Sequence, residues 1–107
     1  MKPRVVVVDD SLTVRMDIGE ALQSAGFDIV LCSDLRSARE ALVREGSALV
    51  VLDIQLPDGD GVDFLKELRS RWPQLTVIIL TAHGTIPEAV QATQCGAFGY
   101  LVKPVEK

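Results

Sequence analysis

Three acids, a hydroxyl and an amine follow four short apolar runs of this chain. VVVV at 5–8 stops on Asp9 and Asp10, LVVL at 49–52 runs into Asp53, VIIL at 77–80 into Thr81, and GYLV at 99–102 into Lys103. A helix cap accounts for one acid after a buried strand; two adjacent ones repel each other and lose hydration there. Three gathered together need a cation among them or must take up protons. The donors are all oxygen, with no His or Cys beside them, which points to a hard divalent ion. Two or three carboxylates with room for water suit Mg2+ better than a Ca2+ cage, and the sequence has no EF-hand loop. A half-built Mg2+ site usually completes its shell with phosphate oxygens, for which Lys103 and Thr81 are natural partners. Neither GxGxxG nor GxxxxGK[ST] occurs, so a bound nucleotide is not expected. The phosphate is then better carried covalently, on an aspartate acting as nucleophile.

Those residues meet only if the elements before them lie side by side. Strands are expected at 5–8, 29–32, 49–52, 77–80 and 99–102, with helical periods between them. Val14, Ile18, Ala21, Leu22 and Ala25 form one apolar stripe ended by Gly26; Leu35, Ala38, Ala41 and Leu42 form a second. Leu65, Leu68 and Trp72 form a third, entered through Asp60 as N-cap and closed by Pro73. A fourth helix, around 86–95, has Pro87 in its first turn and a weak stripe of Ala89, Val90 and Ala92. Five strands alternating with four helices, at crossover lengths that demand parallel pairing, make a doubly wound α/β sheet. Such sheets bind ligands outside the carboxyl ends of their strands, where Asp9, Asp10, Asp53, Thr81 and Lys103 would stand.

The stretches VVVVDDS, VVLDIQLPDGDGVDFL, IILTAHG and GYLVKP resemble the successive motifs of bacterial response-regulator receiver domains, in order and across essentially all 107 residues. TAHGTIPEAV and GAFGYLVKP are further similar to receivers of σ54-activator type. The resemblance implies a flavodoxin-like sheet of order 2-1-3-4-5, in a single receiver domain over 1–107. It implies Asp53 as phospho-acceptor, with Mg2+ held by Asp10, Asp53 and the backbone carbonyl of Gln55, and Asp9 assisting. Lys103 and Thr81 would engage the phosphoryl group, and Tyr100 holds the aromatic switch position. Gln55 and His83 would tune hydrolysis of the aspartyl-phosphate, and Lys103–Pro104 would be joined by a cis peptide. The implied partners are a sensor histidine kinase and a downstream effector domain or protein, with a homodimer as one available assembly. Receivers normally carry a fifth helix after the Lys-Pro turn, so the chain is expected to lack it or to have it cut short.

Other readings set limits. With 107 residues and 48% hydrophobic content, the chain is one domain with one core. A net charge of −4 without a basic block makes it a poor nucleic-acid binder. No apolar run reaches the roughly 18 residues of a membrane span, and a cytoplasmic location is expected. Cys32 and Cys95 read as small buried hydrophobes rather than a disulfide or metal pair. Asp58, Asp60 and Asp63 read as turn and cap residues, since LPDG is type I turn chemistry. Two further classes fit this sequence less well, since Asp9-Asp10-Ser11 is not a DxD and all five reacting groups are present. A Mg2+-dependent aspartyl-phosphate hydrolase usually places a DxD after its first strand and adds a substrate-covering domain. A module that has abandoned phosphorylation would have lost one of the five reacting groups.

Overall fold

The computed structural model describes residues 2–56, 58–81, 93–94 and 96–102, with the backbone alone at 45, 55, 60, 81 and 100–102. Five parallel strands are present: β1 (Arg4–Val8), β2 (Asp28–Cys32), β3 (Leu49–Asp53), β4 (Thr76–Thr81) and β5 (Gly99–Val102), in the order β2-β1-β3-β4-β5. The expected strands agree to within a residue at each end. Val5 to Val8 have no solvent exposure, as a central strand covered on both faces requires. Arg4 lies opposite Asp28, Val5 opposite both Ile29 and Leu49, and Val8 opposite both Cys32 and Leu52.

Alternation along the strands sends side chains to two cores. One gathers Val6, Val8, Cys32, Val50, Leu52, Val77 and Ile79 beneath α2 (Leu35–Glu45) and α3 (Gly61–Arg71). The other gathers Val5, Val7, Val51 and Leu80 against Val14, Ile18 and Leu22 of α1 (Leu12–Ser24). The α1 stripe is narrower than its periodicity suggests, because Ala21 and Ala25 are exposed. Gly19 brings α1 close to β2: a Cβ there would stand 2.9 Å from Ile29 Cδ1. The α3 stripe is wider, since Val62 and Phe64 are buried together with Leu65 and Leu68.

Between β3 and α3 a short antiparallel pair joins Gln55–Leu56 to Gly59–Asp60, with Gln55 opposite Asp60 and Leu56 opposite Gly59. The turn type expected for LPDG includes Pro57, and most of the fourth helix falls in 82–92 and at Cys95; both lie outside the described residues. Thr93 and Gln94 are helical. The expected loss of the fifth helix concerns residues after Val102, also outside them. No helix among the described residues is long and apolar enough to cross a membrane.

Candidate functional site

With β1 between β2 and β3, the residues following β1 and β3 leave the sheet as neighbours at its C-terminal edge. Carboxylate oxygens of Asp9, Asp10 and Asp53 lie within 4.8 Å of one another. Asp9 has no exposure and Asp53 only 4%, while Asp10 is exposed. The face that carries Val5 and Val7 carries Asp9 two residues later, and Val51 leads in the same way to Asp53. Ionised pairs at this spacing repel by roughly 3–4 kcal/mol at an effective dielectric near 20. Three carboxylates gathered this closely make a candidate cation site.

Local bonds hold Asp9 in place. Asp9 N–H donates to the Cys32 carbonyl at 3.0 Å, which ties the end of β1 to β2. Asp9 Oδ1 accepts the Ser11 N–H at 2.8 Å, and Arg15 Nη1 donates to the Asp9 carbonyl at 2.7 Å. The N-cap of α1 is Ser11, whose Oγ accepts the Val14 N–H at 3.4 Å. Capping of α1 therefore falls to the serine.

Asp53 is held through its backbone. Ile54 N–H donates to the Leu80 carbonyl at 3.2 Å, carrying the β3–β4 pairing one step past the acid. Gly61 N–H donates to the Ile54 carbonyl at 2.7 Å. A Cβ on Gly61 would stand 2.5 Å from the Asp53 carbonyl oxygen and 2.6 Å from Ile54 Cα. The first residue of α3 thus rests on the peptide that follows Asp53, with no room for a side chain.

Beside the acids, Cys32 is buried at the end of β2, and burial is the chief cause that pushes its thiol up, as a free cysteine. Asp58 is more than a turn residue: its carboxylate accepts the Leu35 N–H at 3.0 Å and the Arg36 N–H at 3.2 Å, capping α2 from the β3–α3 segment. Asp34, the sequence-local cap of α2, accepts the Ser37 N–H at 2.8 Å and the Ser37 hydroxyl at 2.6 Å, which lower its pKa. Glu67 on α3 accepts two bonds from Arg39 on α2, at 2.7 and 3.0 Å. The Arg39 hydrogen bond, ahead of every other cause, holds Glu67 below the usual glutamate range.

Of the residues singled out by sequence, Asp9, Asp10 and Asp53 come together. Thr81 ends β4 opposite Val102, and Tyr100 lies opposite Ile79 in β5; only their backbone is described, as is that of Gln55. Lys103, Pro104 and His83 lie outside the described residues. Sequence reasoning missed Arg15, Asp58 and Gly61 as supports. Gly61 opens α3 after the short pair that follows Asp53, and nothing in the local sequence marks its close approach to the Asp53–Ile54 peptide.

A family model for the response regulator receiver domain matches residues 5–107. The response regulator protein FleR of Pseudomonas aeruginosa is 36% identical over 106 residues, covering 99% of this chain and 22% of FleR. The DNA-binding transcriptional regulator NtrC of Escherichia coli K12 is 39% identical over 102 residues, covering 95% of this chain and 22% of NtrC. The chain thus spans under a quarter of the length of these two relatives. Among solved structures, the beryllofluoride-activated NtrC4 receiver domain dimer superposes with a TM-score of 0.91 at 34% identity, covering 96% of this chain and 85% of that one. A family match over nearly the whole length, on a sheet of the expected order with its acids at the expected edge, means that this chain belongs to the response-regulator receiver-domain family, the signalling modules of two-component systems.

Proposed function

We propose that this chain is a single receiver domain that accepts a phosphoryl group on Asp53 from the phosphohistidine of a sensor kinase, in a Mg2+-dependent reaction. The observation that carries this reading is the approach of Asp9, Asp10 and Asp53 to within 4.8 Å at the C-terminal edge of the sheet. The donor set fits the ion: three hard carboxylates, two of them buried, with the third open to solvent where water completes a shell. Asp10, Asp53 and the Gln55 carbonyl would be direct ligands, and Asp9 would act through water or a second contact. When bound, Mg2+ supplies positive charge to the phosphoryl oxygens during transfer.

The chain's own residues do the rest. A carboxylate oxygen of Asp53 attacks phosphorus as the P–N bond to the donor imidazole breaks, and the imidazole leaves with a proton. Lys103 pairs with the transferred oxygens, and Thr81 donates its hydroxyl to them. Hydrolysis reverses the gain: water attacks phosphorus, the Asp53 carboxylate is restored, and inorganic phosphate departs. Gln55 and His83 set the pace of that step. The new group carries about −1.5 to −2 charges and three strong acceptors. Thr81 moves toward it, Tyr100 turns into the space released, and the surface around the fourth helix and β5 changes for an effector domain or partner. This is a local electrostatic event biasing a two-state element. A kinase and effector of this kind place the domain in the cytoplasm. The NtrC4 receiver, solved as a dimer, supports a homodimer as one assembly.

Intact mass after incubation with acetyl phosphate, with and without Mg2+ and beside Asp53→Ala, tests the reading. One phosphoryl adduct requiring both Mg2+ and Asp53 is expected. No adduct on folded protein, or an adduct on Asp53→Ala, overturns it. Thr81→Ala should keep the adduct and lose the surface change; a full response in that variant refutes the relay.

A further inference from the structure

We propose that Asp58 is a positioning residue of the phosphorylation site, coupling the N-terminus of α2 to the loop that follows Asp53; this rests on the role proposed for that aspartate. The Asp58 carboxylate bonds the amides of Leu35 and Arg36, although Asp34 already serves α2 as its local N-cap. Asp34 satisfies only one of the orphan amides of the first turn, and Asp58 takes two others, so α2 has a second cap. The second comes from a segment more than twenty residues away, and that segment leads straight back to the acceptor.

Asp58 lies at the tip of the short pair formed by Gln55–Leu56 and Gly59–Asp60. The base of the pair closes through Gly61 N–H on the Ile54 carbonyl at 2.7 Å, and Ile54 N–H is bonded to Leu80. The tip packs closely on α2: a Cβ on Gly59 would stand 2.8 Å from Leu35 Cδ1, and Leu35 is buried. α2 cannot follow the loop freely, because Arg39 holds Glu67 of α3 with two bonds while its guanidinium lies 5.3 Å from the centre of the Phe64 ring. The loop carrying Gln55 is therefore pinned at its base by α3 and at its tip by α2. Asp58 is the tip pin. It keeps the peptides of residues 54–56 in register with the Asp53 carboxylate, beside which they would help to hold Mg2+.

Amide hydrogen exchange and a Mg2+ titration followed by amide shifts, on the whole chain, separate this role from plain helix capping. Asp58→Ala should speed exchange at Ile54 and Gly61 by on the order of tenfold, the effect of losing one or two charge-assisted bonds. It should also weaken Mg2+ binding several-fold. Asp34→Ala removes a cap from the same helix without touching the loop: it should lower the melting temperature and leave loop exchange and Mg2+ affinity as in the wild type. Asp58→Asn, which keeps an acceptor oxygen, should recover much of both. Unchanged loop exchange in Asp58→Ala, or equal changes in Asp34→Ala, overturns the proposal. If the wild type binds no Mg2+, the proposed phosphorylation chemistry fails, and the exchange comparison still decides whether Asp58 holds the loop.

Discussion

Gly61→Ala adds one methyl group where the structure has no space for it. The new Cβ would lie 2.5 Å from the Asp53 carbonyl oxygen, 2.6 Å from Ile54 Cα and 2.9 Å from the Ile54 carbonyl oxygen. All three atoms are backbone, so no rotamer change relieves them. Reaching an ordinary 3.4 Å contact takes about 0.9 Å of movement between α3 and the end of β3. The backbone of Gly61 is not in the left-handed region, so space rather than conformation sets the cost. Overpacking of this kind costs about 1–3 kcal/mol, against which alanine returns at most about 1 kcal/mol of helix propensity. A net loss of about 1–2 kcal/mol lowers the melting temperature by roughly 5–15 °C in a domain of this size. Displacing the carboxylate proposed as acceptor by about 1 Å costs on the order of a hundredfold in rate. Phosphorylation by acetyl phosphate should therefore slow by one to two orders of magnitude, read by intact mass against time. Gly19→Ala is the comparison: its Cβ meets only the side-chain ends of Ile29 and Leu31, at 2.9 and 3.1 Å. Those can turn aside, so stability falls little and phosphorylation keeps its rate. Wild-type melting and phosphorylation in Gly61→Ala would refute the idea that contact with α3 sets the position of the Asp53 peptide.

Other perturbations read the supports of the site. Arg39→Ala and Glu67→Ala, combined in a double-mutant cycle, should couple by about 0.5–1 kcal/mol, the range for a bidentate pair that remains partly open to solvent; additive melting shifts would show that the pair stabilises nothing. Glu67 and Asp34 are both held below their ordinary values of 4.5 and 3.8, by Arg39 and Ser37 respectively. A depressed carboxylate stabilises the fold above its unfolded pKa and loses that contribution as pH falls through its folded one. Melting temperatures measured below about pH 4.5 should therefore fall less steeply in Glu67→Gln than in the wild type, and parallel curves would contradict this. Burial raises the Cys32 thiol, so iodoacetamide should label Cys32 far more slowly in the native protein than in urea. Peptide mass after a short pulse checks this, and rapid native labelling counts against the described packing.

Much of the fold could be read from the chain because parallel strands buried on both faces leave nearly continuous apolar runs. VVVV and LVVL fall in β1 and β3 for that reason, and the acids that end them mark the C-terminal edge of the sheet. Faces of helices were less legible. Ala21 and Ala25 fit the periodicity of α1 yet are exposed, since the helix turns only a narrow strip toward the sheet, while Val62 and Phe64 were passed over although α3 buries them. At the site, Asp9, Asp10 and Asp53 were readable because they end apolar strand runs: Asp53 closes β3, and Asp9 and Asp10 come next after β1. The bonds from Asp58 to Leu35 and Arg36 were not, because a cap reaching across more than twenty residues leaves no local pattern. Gly61 shows the same limit: its missing side chain matters only once Asp53 and Ile54 lie against it.

The pairing of β1 with β3 has a kinetic consequence. It sets Val5 against Leu49, whereas Arg4 meets Asp28 and Leu49 meets Thr76, so of these three junctions it closes the longest stretch of chain. Loop closure grows more costly with length, and contacts distant in sequence tend to slow folding. That same junction brings Asp9 and Asp10 to Asp53. A chain with only β1–β2 or β3–β4 paired has most of its local order and no acid cluster at all. Competence to take up phosphate should therefore arrive late in refolding, and a nascent or damaged domain stays silent until its longest-range pairing is complete.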